Sequence, residues 1–394
     1  MGIKSVAKGI NLGLPLESFL HVSDRMSSRP LTEGNAIKML QNGEQAYPEM
    51  LAAINNAIER VFLVTYLFEA DAIGKAFVTA LISAQQRGVE VRVIVDGVGE
   101  FYSWPRISRT LGRRGIPVAR FLPPRLLPSP FSVNLRNHRK ILVVDGKLGF
   151  TGGMNIGARH LVDSELDQRT VDLHFYVQGE VVSQLEEIFV EDWRFASGED
   201  LKIPKIRHVL NGTAYCRCIS QGPNDDLDKI SLVMMGVISA AQHEVTLITP
   251  YFFPSREMIA SLQSAALRGV NVTIILPKKS NLRFVDWAAS NLLWELLQHD
   301  VKVYYQPPPF AHTKLFVVDG LYSQIGSANM DPRSLRLNFE LNLEIFVAEP
   351  VKRLVDYARE IRRNSTEVTL QEVDGRSLLV RIRDAACWLF MPYL

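Results

Sequence analysis

The sequence predicts a mixed α/β fold in which two tandem domains are related by a pseudo-two-fold axis and share one functional site. The first observation is an order of elements that occurs twice, at residues 48–96 and 227–277: amphipathic segment, apolar run, amphipathic segment, β-branched run. The second is that both β-branched runs open with Arg-Gly-Val, at residues 87–89 and 268–270. Such a repeat indicates a duplicated domain of roughly 170 to 180 residues. A chain of 394 residues has room for two.

Hydrophobic periodicity places the elements of each unit. Apolar residues at helical spacing predict helices, and β-branched or continuous apolar runs bounded by turn residues predict strands. Apolar strands that alternate with helices are typical of a largely buried sheet covered by helices. The first unit has helices within residues 50–58, 73–86 and 181–195 and strands within 61–68, 87–96 and 115–121, and the second has helices within 230–238 and 258–267 and strands within 245–253, 268–277 and 300–305.

The predicted organisation has four parts. Residues 1–35 form an N-terminal extension, 36–205 the first domain, 206–365 the second domain and 366–394 an amphipathic tail. The polar stretch after the helix at 181–195 marks the division between the domains.

The tail carries an apolar stripe at helical spacing with arginines opposite, so it either lies in a bilayer surface or packs on the second domain. The stripe is Leu378, Leu379, Ile382, Ala385, Ala386 and Leu389, and the arginines are Arg376, Arg381 and Arg383.

Composition excludes several classes of protein. Lys and Arg number 44 against 42 Asp and Glu, and this balance gives no support for a nucleic-acid-binding surface. The three cysteines, Cys216, Cys218 and Cys387, make neither a disulfide framework nor a zinc site, which favours a reducing compartment. The sequence contains no apolar run of about 18 residues and no signal peptide pattern at its start, so we expect a soluble or surface-bound protein.

One motif occurs once in each unit and carries the chemistry. It reads His-x-Lys-x4-Asp, and an Asn follows the His by 17 positions in both copies. A single copy would be weak evidence, but two copies at equivalent places in a repeat are not expected by chance. An acidic residue follows later in each unit, Asp172 in the first and Glu340 in the second. The motif residues are His138, Lys140, Asp145 and Asn155, and His312, Lys314, Asp319 and Asn329.

These residue types suit phosphoryl transfer without a metal or cofactor. A pseudo-two-fold axis brings both His-Lys pairs to one cleft, where ammonium and amide groups bind a tetrahedral oxyanion. We expect the His and Lys of each pair to share one face of a strand. One imidazole attacks phosphorus while the other protonates the leaving alcohol. Asp172 and Glu340 are each expected to hold one imidazole by its other nitrogen and fix its tautomer.

The motif aspartates Asp145 and Asp319 have a different expected role. Each ends a Val-Val run and precedes a glycine, which is a turn context. We therefore predict that both are structural and that they cap a turn or form a salt bridge away from the phosphate.

The paired motifs resemble those of the phospholipase D superfamily, and within it the bacterial cardiolipin synthase branch that lacks N-terminal transmembrane helices. The resemblance implies two α/β/α sandwich domains with the active site at their interface. It also implies a phosphatidyl-histidine intermediate formed from phosphatidylglycerol, a second phospholipid (phosphatidylglycerol or phosphatidylethanolamine) that completes the reaction, and release of glycerol or ethanolamine. His138 is then the nucleophile and His312 the general acid and base, with the reverse assignment left open. The segments that carry it are 42–48, 87–97, 138–146, 152–157, 327–334 and 337–342.

Both halves are expected to supply phosphate ligands, and the two sets differ at one position. The second half has Ser327, whose hydroxyl is able to donate, where the first has Gly153, which offers only its backbone N–H. The predicted phosphate-binding residues are Lys140, Lys314, Asn155, Asn329, Ser327 and Gly153.

Two features bear on the substrate. Seven arginines and one acid lie between residues 98 and 137, together with an apolar, proline-rich stretch at 121–131 that residues 304–310 mirror in the second half. These features favour an anionic phospholipid surface as partner, and the alternative is a packed interdomain loop with a solvated basic face. We expect a peripheral membrane enzyme on the cytoplasmic face of the bacterial inner membrane, with no nucleic-acid partner and an undetermined oligomeric state.

Two rival functions remain open at this point. A phospholipase D hydrolase or a nuclease of the same superfamily would use water as the acceptor. A catalytically silent lipid-binding scaffold would not need the intact His, Lys and Asn of both halves.

Overall fold

The computed structural model describes residues 14–124, 135–204, 206–223, 228–346 and 349–390. Its first half contains strands β1 to β8 and helices α1 to α5. The strands are β1 Thr32–Gln41, β2 Arg60–Thr65, β3 Glu90–Asp96, β4 Val118–Phe121, β5 Ile141–Val144, β6 Leu148–Gly152, β7 Thr170–Val171 and β8 Leu173–Gln178, and the helices are α1 Leu14–Met26, α2 Asn42–Asn55, α3 Ala72–Gln86, α4 Ile107–Gly112 and α5 Val181–Ser197.

The second half repeats this order and adds elements at its end. Its strands are β9 Ala214–Gln221, β10 Glu244–Ile248, β11 Asn271–Pro277, β12 Lys302–Gln306, β13 Phe310–Ala311, β14 Leu315–Val318, β15 Tyr322–Gly326, β16 Glu340–Phe346 and β17 Thr366–Val368, and its helices are α6 Lys229–Ala240, α7 Arg256–Leu267, α8 Arg283–Ser290, α9 Leu293–Leu297, α10 Pro332–Arg336, α11 Glu349–Arg363, α12 Leu370–Asp374 and α13 Leu378–Phe390.

Within the described residues, one sheet of 15 strands runs through both halves. From the junction outward the first half reads β1-β8-β6-β5-β2-β3-β4 and the second reads β9-β16-β15-β14-β10-β11-β12, which is the same order of equivalent strands. At the junction β1 and β9 pair antiparallel, with Thr32 opposite Cys216. Two copies joined by antiparallel pairing of equivalent strands are related by a two-fold axis through that junction. The predicted duplicated α/β fold is confirmed.

Helices cover both faces of the sheet, because its central strands are apolar on both sides. On one face, α5 and α11 enclose a single core that includes strand residues of both halves, such as Phe62 and Leu343. On the other face, α2 and α3 cover the first half, and α6 and α7 cover the second. The shared core under α5 and α11 fixes the two halves against each other.

The α3 and α7 helices begin and end in the same way in the two halves. Asp71 caps α3 and Ser255 caps α7, each by accepting a backbone N–H three residues on. Gly88 and Gly269 follow the last turns with φ near +90°, a conformation that glycine adopts without strain. These signals set where each following strand, β3 or β11, begins.

The N-terminal helix α1 belongs physically to the second half. Phe19 and Leu20 are buried in the core that α6 covers. Asp24 accepts from Arg217 at 2.6 Å, and Arg217 also binds Glu344 at 3.0 Å inside the protein. A buried guanidinium with a carboxylate on either side holds α1 against β9.

The C-terminal helix α13 packs on α8, and its inward side carries the buried Asp384 and Cys387 and the partly buried Trp388. The Arg383 guanidinium lies 4.3 Å above the Trp287 ring, and Arg376 donates to the Ser290 carbonyl at 3.1 Å. The apolar stripe faces solvent instead, and Leu379 is 80% exposed. The tail therefore packs on the second half while its leucine-rich side remains uncovered. Across the described residues, no helix combines the length and apolar content that crossing a membrane requires.

The three cysteines are buried and free of disulfides. Burial raises the pKa of the Cys218 thiol to about 12 and raises that of Cys216 as well. Buried thiols of this kind pack as small apolar side chains.

The two motif aspartates each organise a turn at the sheet edge opposite the histidines. Asp145 accepts the backbone N–H groups of Ile58, Glu59 and Arg60, the last two at 2.7 and 2.9 Å. Asp319 accepts three consecutive N–H groups, those of residues 242–244, each at 2.8 Å. Both aspartates adopt positive φ, 54° and 52°. Each carboxylate therefore anchors the chain just before β2 or β10.

We predict that Asp145→Ala lowers the free energy of unfolding by about 2–4 kcal/mol, because a charged acceptor is removed from three backbone donors. Urea denaturation followed by circular dichroism measures this, with Asp319→Ala as the pseudo-symmetric partner. Asp145→Asn keeps one acceptor oxygen and tolerates positive φ, so it should lose less. An alanine variant as stable as the native chain would contradict the anchoring role.

Candidate active site

The His-x-Lys segments lie immediately before strands β5 and β14 rather than within them. The expectation that they form part of a strand is therefore wrong, because no neighbouring strand pairs with these residues in a ladder. The alternation of side chains nevertheless holds. Arg139 points away from the cleft and binds Asp192 at 2.6 Å inside the protein, and the Thr313 hydroxyl lies 3.5 Å from that of Tyr357.

The backbone of each histidine is held by the opposite half of the molecule. The His138 N–H donates to the Phe339 carbonyl at 2.9 Å, and the His312 N–H donates to the Val171 carbonyl at 2.7 Å. Beside His312, strands β7 and β13 pair in parallel across the halves. Both histidines are thus attached to the segment that precedes an acidic residue of the other half.

The imidazole rings are held across the halves in the same way. His138 Nδ1 lies 3.2 Å from Glu340 Oε1, and His312 Nδ1 lies 2.7 Å from Asp172 Oδ2. The two halves therefore exchange carboxylates, so that each imidazole is oriented by the other half. The side chains of His138 and His312 keep 21% and 16% of their surface exposed, and the carboxylates are buried. The rings remain accessible from the cleft while their partners are shielded from water.

The two lysines have equivalent positions next to the histidines. Lys140 Nζ donates to the His138 carbonyl at 2.5 Å, and Lys314 Nζ donates to the His312 carbonyl at 2.6 Å. Lys314 Nζ also lies 2.9 Å from both ring nitrogens of His312. Burial lowers the pKa of Lys140 to about 8 and that of Lys314 to about 7. Buried ammonium groups have lost the hydration that stabilises their charge, so an anion that binds beside them stabilises the charged form.

The two histidines lie in different electrostatic surroundings. Burial lowers the pKa of His312 well below its ordinary range, and Lys314 and Lys140 lower it further. Burial by itself would raise the pKa of Glu340, but His138, Lys140 and the Ser327 hydroxyl outweigh that effect and lower it. Burial raises the pKa of Asp172. His312 is therefore neutral in the empty cleft, whereas an ionised carboxylate faces His138.

Gly153 and Ser327 do not serve as the phosphate donors that the sequence predicts. The N–H of Gly153 donates to the Leu173 carbonyl, and that of Ser327 donates to the Leu341 carbonyl. The Ser327 hydroxyl donates to Glu340 and accepts from the Leu341 N–H. A Cβ at position 153 would lie 2.4 Å from the Asp172 carboxylate. Gly153 and Ser327 therefore help to position the Asp172 and Glu340 carboxylates. The hydrogen-bonding groups of both residues already have partners within the protein.

The two predicted asparagines lie three residues after strands β6 and β15 and are anchored differently. Asn155 Oδ1 accepts the Leu67 N–H at 3.1 Å, which leaves its amide NH2 as the donor end. Asn329 Nδ2 lies 3.2 Å from the Ser334 hydroxyl, and its Oδ1 has no partner. Exchanging the two ends of the Asn329 amide would let Ser334 donate to Oδ1 and would free an NH2, as at Asn155.

Residues that the motif does not include also lie against the histidines. Asn338 Nδ2 lies 3.2 Å from both His138 Nδ1 and Glu340 Oε1. The Tyr66 ring is 4.4 Å from that of His138, and the Tyr251 ring is 6.4 Å from that of His312. Tyr66 and Tyr251 both follow equivalent strands, but aligning the two repeats places Tyr66 opposite Pro250, so the repeat does not identify the pair. No sequence signal singles out Asn338.

Among the described residues, no group of three or more His, Cys, Asp or Glu side chains is placed to hold a metal ion. The site consists instead of two imidazoles, two ammonium groups, two amides and two carboxylates. Two imidazoles held by carboxylates and flanked by ammonium groups are suited to nucleophilic attack and proton transfer at a phosphate.

Comparisons with known proteins agree with this geometry. The family described as "Cardiolipin synthase, PLD-like domain" matches residues 50–193 and 234–362. The chain is 32% identical to the cardiolipin synthase of Geobacillus sp. (strain WCH70) over 95% of its length and 76% of that protein. It is 32% identical to that of Listeria monocytogenes serotype 4a (strain HCC23) over 92% of its length and 76% of that protein.

A solved structure shows the same fold at lower identity. The phosphatidylserine synthase of Haemophilus influenzae Rd KW20 superposes with a TM-score of 0.74 at 14% identity, over 96% of this chain and all of that one. The family matches fall in both halves and include both His-x-Lys segments. The chain belongs to the cardiolipin synthase family with PLD-like domains.

Proposed function

We propose that this chain is a cardiolipin synthase that transfers a phosphatidyl group from phosphatidylglycerol to a second phospholipid. The observation that carries the proposal is the exchange of carboxylates, which orients an imidazole from each half in one cleft beside two lysines. The family membership and the relatives named cardiolipin synthase support it.

In the first step, the Nε2 lone pair of His138 attacks the phosphorus of phosphatidylglycerol. A phosphorus–nitrogen bond forms and the bond from phosphorus to the glycerol oxygen breaks, while His312 gives a proton to that oxygen. Lys140 and Lys314 neutralise the non-bridging oxygens, which gain charge in the transition state. The products are phosphatidyl-His138 and free glycerol.

In the second step, the hydroxyl of another phosphatidylglycerol attacks the phosphatidyl-histidine. His312 takes the hydroxyl proton, the new phosphorus–oxygen bond forms, and the bond to His138 breaks. Cardiolipin leaves, and both imidazoles return to their starting states. If phosphatidylethanolamine supplies the phosphatidyl group instead, ethanolamine is the alcohol released in the first step.

Substrate binding raises the pKa of His312, so that the ring carries the proton that it donates as an acid. Two ammonium groups and burial keep the ring neutral in the empty cleft. An anionic phosphodiester between Lys140 and Lys314 opposes the lysine charges and raises the pKa of His312. His312 is therefore able to act as an acid only when a phosphate is bound. Asp172 accepts the hydrogen bond from the His312 Nδ1–H in both protonation states of the ring.

We further propose that the enzyme works as a peripheral protein at an anionic phospholipid surface, on the cytoplasmic face of the inner membrane, without a nucleic-acid partner. Exposed arginines in the basic stretch between residues 98 and 137 support this. Arg109, Arg113 and Arg114 are exposed, whereas Arg120 pairs with Glu100 and Arg136 is buried beside Asp96. Within the apolar, proline-rich stretch at 121–131, residues 125–131 lie outside the described residues.

The first prediction from this proposal concerns products. Purified protein incubated with phosphatidylglycerol vesicles should yield cardiolipin and free glycerol in equal amounts, because the acceptor is a lipid hydroxyl. Mass spectrometry of the lipids and an enzymatic glycerol assay measure both. Phosphatidic acid without cardiolipin would instead establish a hydrolase, and absence of any product would favour a silent scaffold.

The second prediction separates the roles of the histidines. A phosphatidyl ester of p-nitrophenol has a leaving group that needs no acid. His312→Ala should therefore release about one equivalent of p-nitrophenol and retain a phosphatidyl group on His138, whereas His138→Ala should lose activity by about 1,000-fold or more.

Peptide mass spectrometry locates the adduct, and His21→Ala on the exposed side of α1 serves as the control. An adduct on His312 in the His138→Ala variant would reverse the assignment of roles. Unchanged turnover in both variants would exclude this pair of residues.

The third prediction concerns pH. Since the pKa of Lys314 is lowered to about 7 and that of Lys140 to about 8, both lose their charge as the pH rises through this range. Affinity for glycerophosphoglycerol, a diester that stays monoanionic, should fall about tenfold between roughly pH 6.5 and 8.5. Binding near pH 8 should take up protons, which titration calorimetry in two buffers measures.

The variant Lys314→Arg retains its charge in this range, so it should weaken the pH dependence. Affinity that does not change between these two pH values in the native protein would contradict the role of the buried ammonium groups.

A further inference from the structure

An exposed aromatic segment lies at the mouth of the cleft on the first half. Residues 99–105 follow strand β3, and Phe101, Tyr102 and Trp104 are 52%, 68% and 76% exposed. Three large aromatic side chains within four residues are seldom left in water without a partner. We refer to residues 99–105 as the aromatic rim.

The aromatic rim is held firmly by its other residues. Asp96 accepts the N–H groups of Val98 and Gly99, both at 2.9 Å. The buried Glu100 carboxylate binds Arg120 at 2.7 Å, and the Ser103 hydroxyl accepts the Ala70 N–H at 2.6 Å. Polar residues that anchor the segment alternate with aromatic residues that project outward. The exposure of the aromatic rings is therefore a fixed feature of the fold.

The aromatic rim is directly connected to the reacting groups. A Cβ on Gly99 would lie 2.0 Å from the Tyr66 carbonyl, so the rim backbone rests on Tyr66. The Tyr66 ring lies 4.4 Å from that of His138. Tyr66 therefore lies between the aromatic rim and the proposed nucleophile, His138.

The equivalent segment of the second half is basic. Residues 278–283 follow strand β11, which corresponds to β3, and Lys278, Lys279 and Arg283 are exposed. Asn281 accepts from the Tyr251 hydroxyl at 2.6 Å, and Tyr251 lies beside His312. Asp286, the nearby acid, accepts the Ser280 N–H. We refer to residues 278–283 as the basic rim.

We propose that the aromatic rim and the basic rim together form the surface that docks on an anionic bilayer. Aromatic side chains favour the headgroup level of a membrane, and lysine and arginine are attracted to anionic lipids. One rim lies on either side of the cleft. A lipid phosphate at the headgroup level would therefore reach His138 and His312 after moving only a short distance out of the bilayer. The inference rests on the proposed function, because it is the lipid substrate that identifies the occupant.

The test measures binding and turnover separately. The variant Tyr102→Ser/Trp104→Ser is compared with Ile58→Ser, whose side chain is 81% exposed beside the Asp145 turn at the opposite edge of the sheet. Binding is measured by co-sedimentation with phosphatidylglycerol vesicles. Turnover is measured on the same vesicles and on a short-chain phosphatidylglycerol below its critical micelle concentration.

We expect the double rim variant to lose vesicle binding and vesicle turnover by about tenfold or more, since about 1.4 kcal/mol of lost apolar contact gives that factor. Turnover of the monomeric substrate should stay within about twofold of native, and Ile58→Ser should match native in all three assays. Lys278→Gln/Lys279→Gln should weaken binding to phosphatidylglycerol vesicles and reduce its salt dependence.

Several outcomes would overturn the docking surface. Native-level vesicle binding by the rim variant would do so, as would an equal loss on monomeric and vesicle substrates, which would place the rim in the chemistry. Absence of vesicle binding by the native protein would indicate a different occupant. If the native protein binds vesicles through the rim but transfers no phosphatidyl group, the docking surface stands and the proposed function fails.

Discussion

The active site depends on an exchange of carboxylates between the two halves. His138 is oriented by Glu340 and His312 by Asp172, and each backbone N–H is bonded to the residue just before that acid. Neither half by itself contains an oriented imidazole. The antiparallel pairing of β1 with β9 and the core shared by α5 and α11 are therefore functional requirements as well as packing features. Arg139 also links the two halves, because its guanidinium binds Asp192 in the first half and the carbonyls of Glu340 and Gln221 in the second.

Collecting buried charges in one cleft is costly for the fold. Lys140, Lys314, Asp172 and Glu340 are at most 7% exposed, and ions removed from water lose hydration that only well-placed partners replace. The lowered pKa values of the two lysines reflect this incomplete compensation. The apolar cores on both faces of the sheet offset the cost. Such unfavourable groups are retained where an anion that binds between them completes the charge balance.

Local sequence patterns predict most of this fold, because helix periodicity, β-branched runs and the Gly88 and Gly269 stops act within a few residues. The repeat and the paired motif likewise predict a shared site. The exchange of carboxylates is not predictable from spacing, since each acidic residue follows the histidine of its own half in sequence but pairs with the histidine of the other half. The predicted phosphate-binding roles of Ser327 and Gly153 are wrong because residue type does not reveal that Glu340 accepts the Ser327 hydroxyl and that the Leu173 carbonyl accepts the Gly153 N–H. The domain bounds and the catalytic roles stay predictions.

The duplication places two histidines in similar positions, and differences at a few neighbouring positions give them different surroundings. Ser327 donates to Glu340 and Asn338 contacts the same carboxylate, while the first half has Gly153 and Thr170 at the matching places. His138 consequently faces an ionised carboxylate that shares its hydrogen-bonding capacity among three partners. His312 has a closer carboxylate and lies against an ammonium group. Burial and the neighbouring ammonium groups lower the pKa of His312, so environment alone distinguishes two identical side chains.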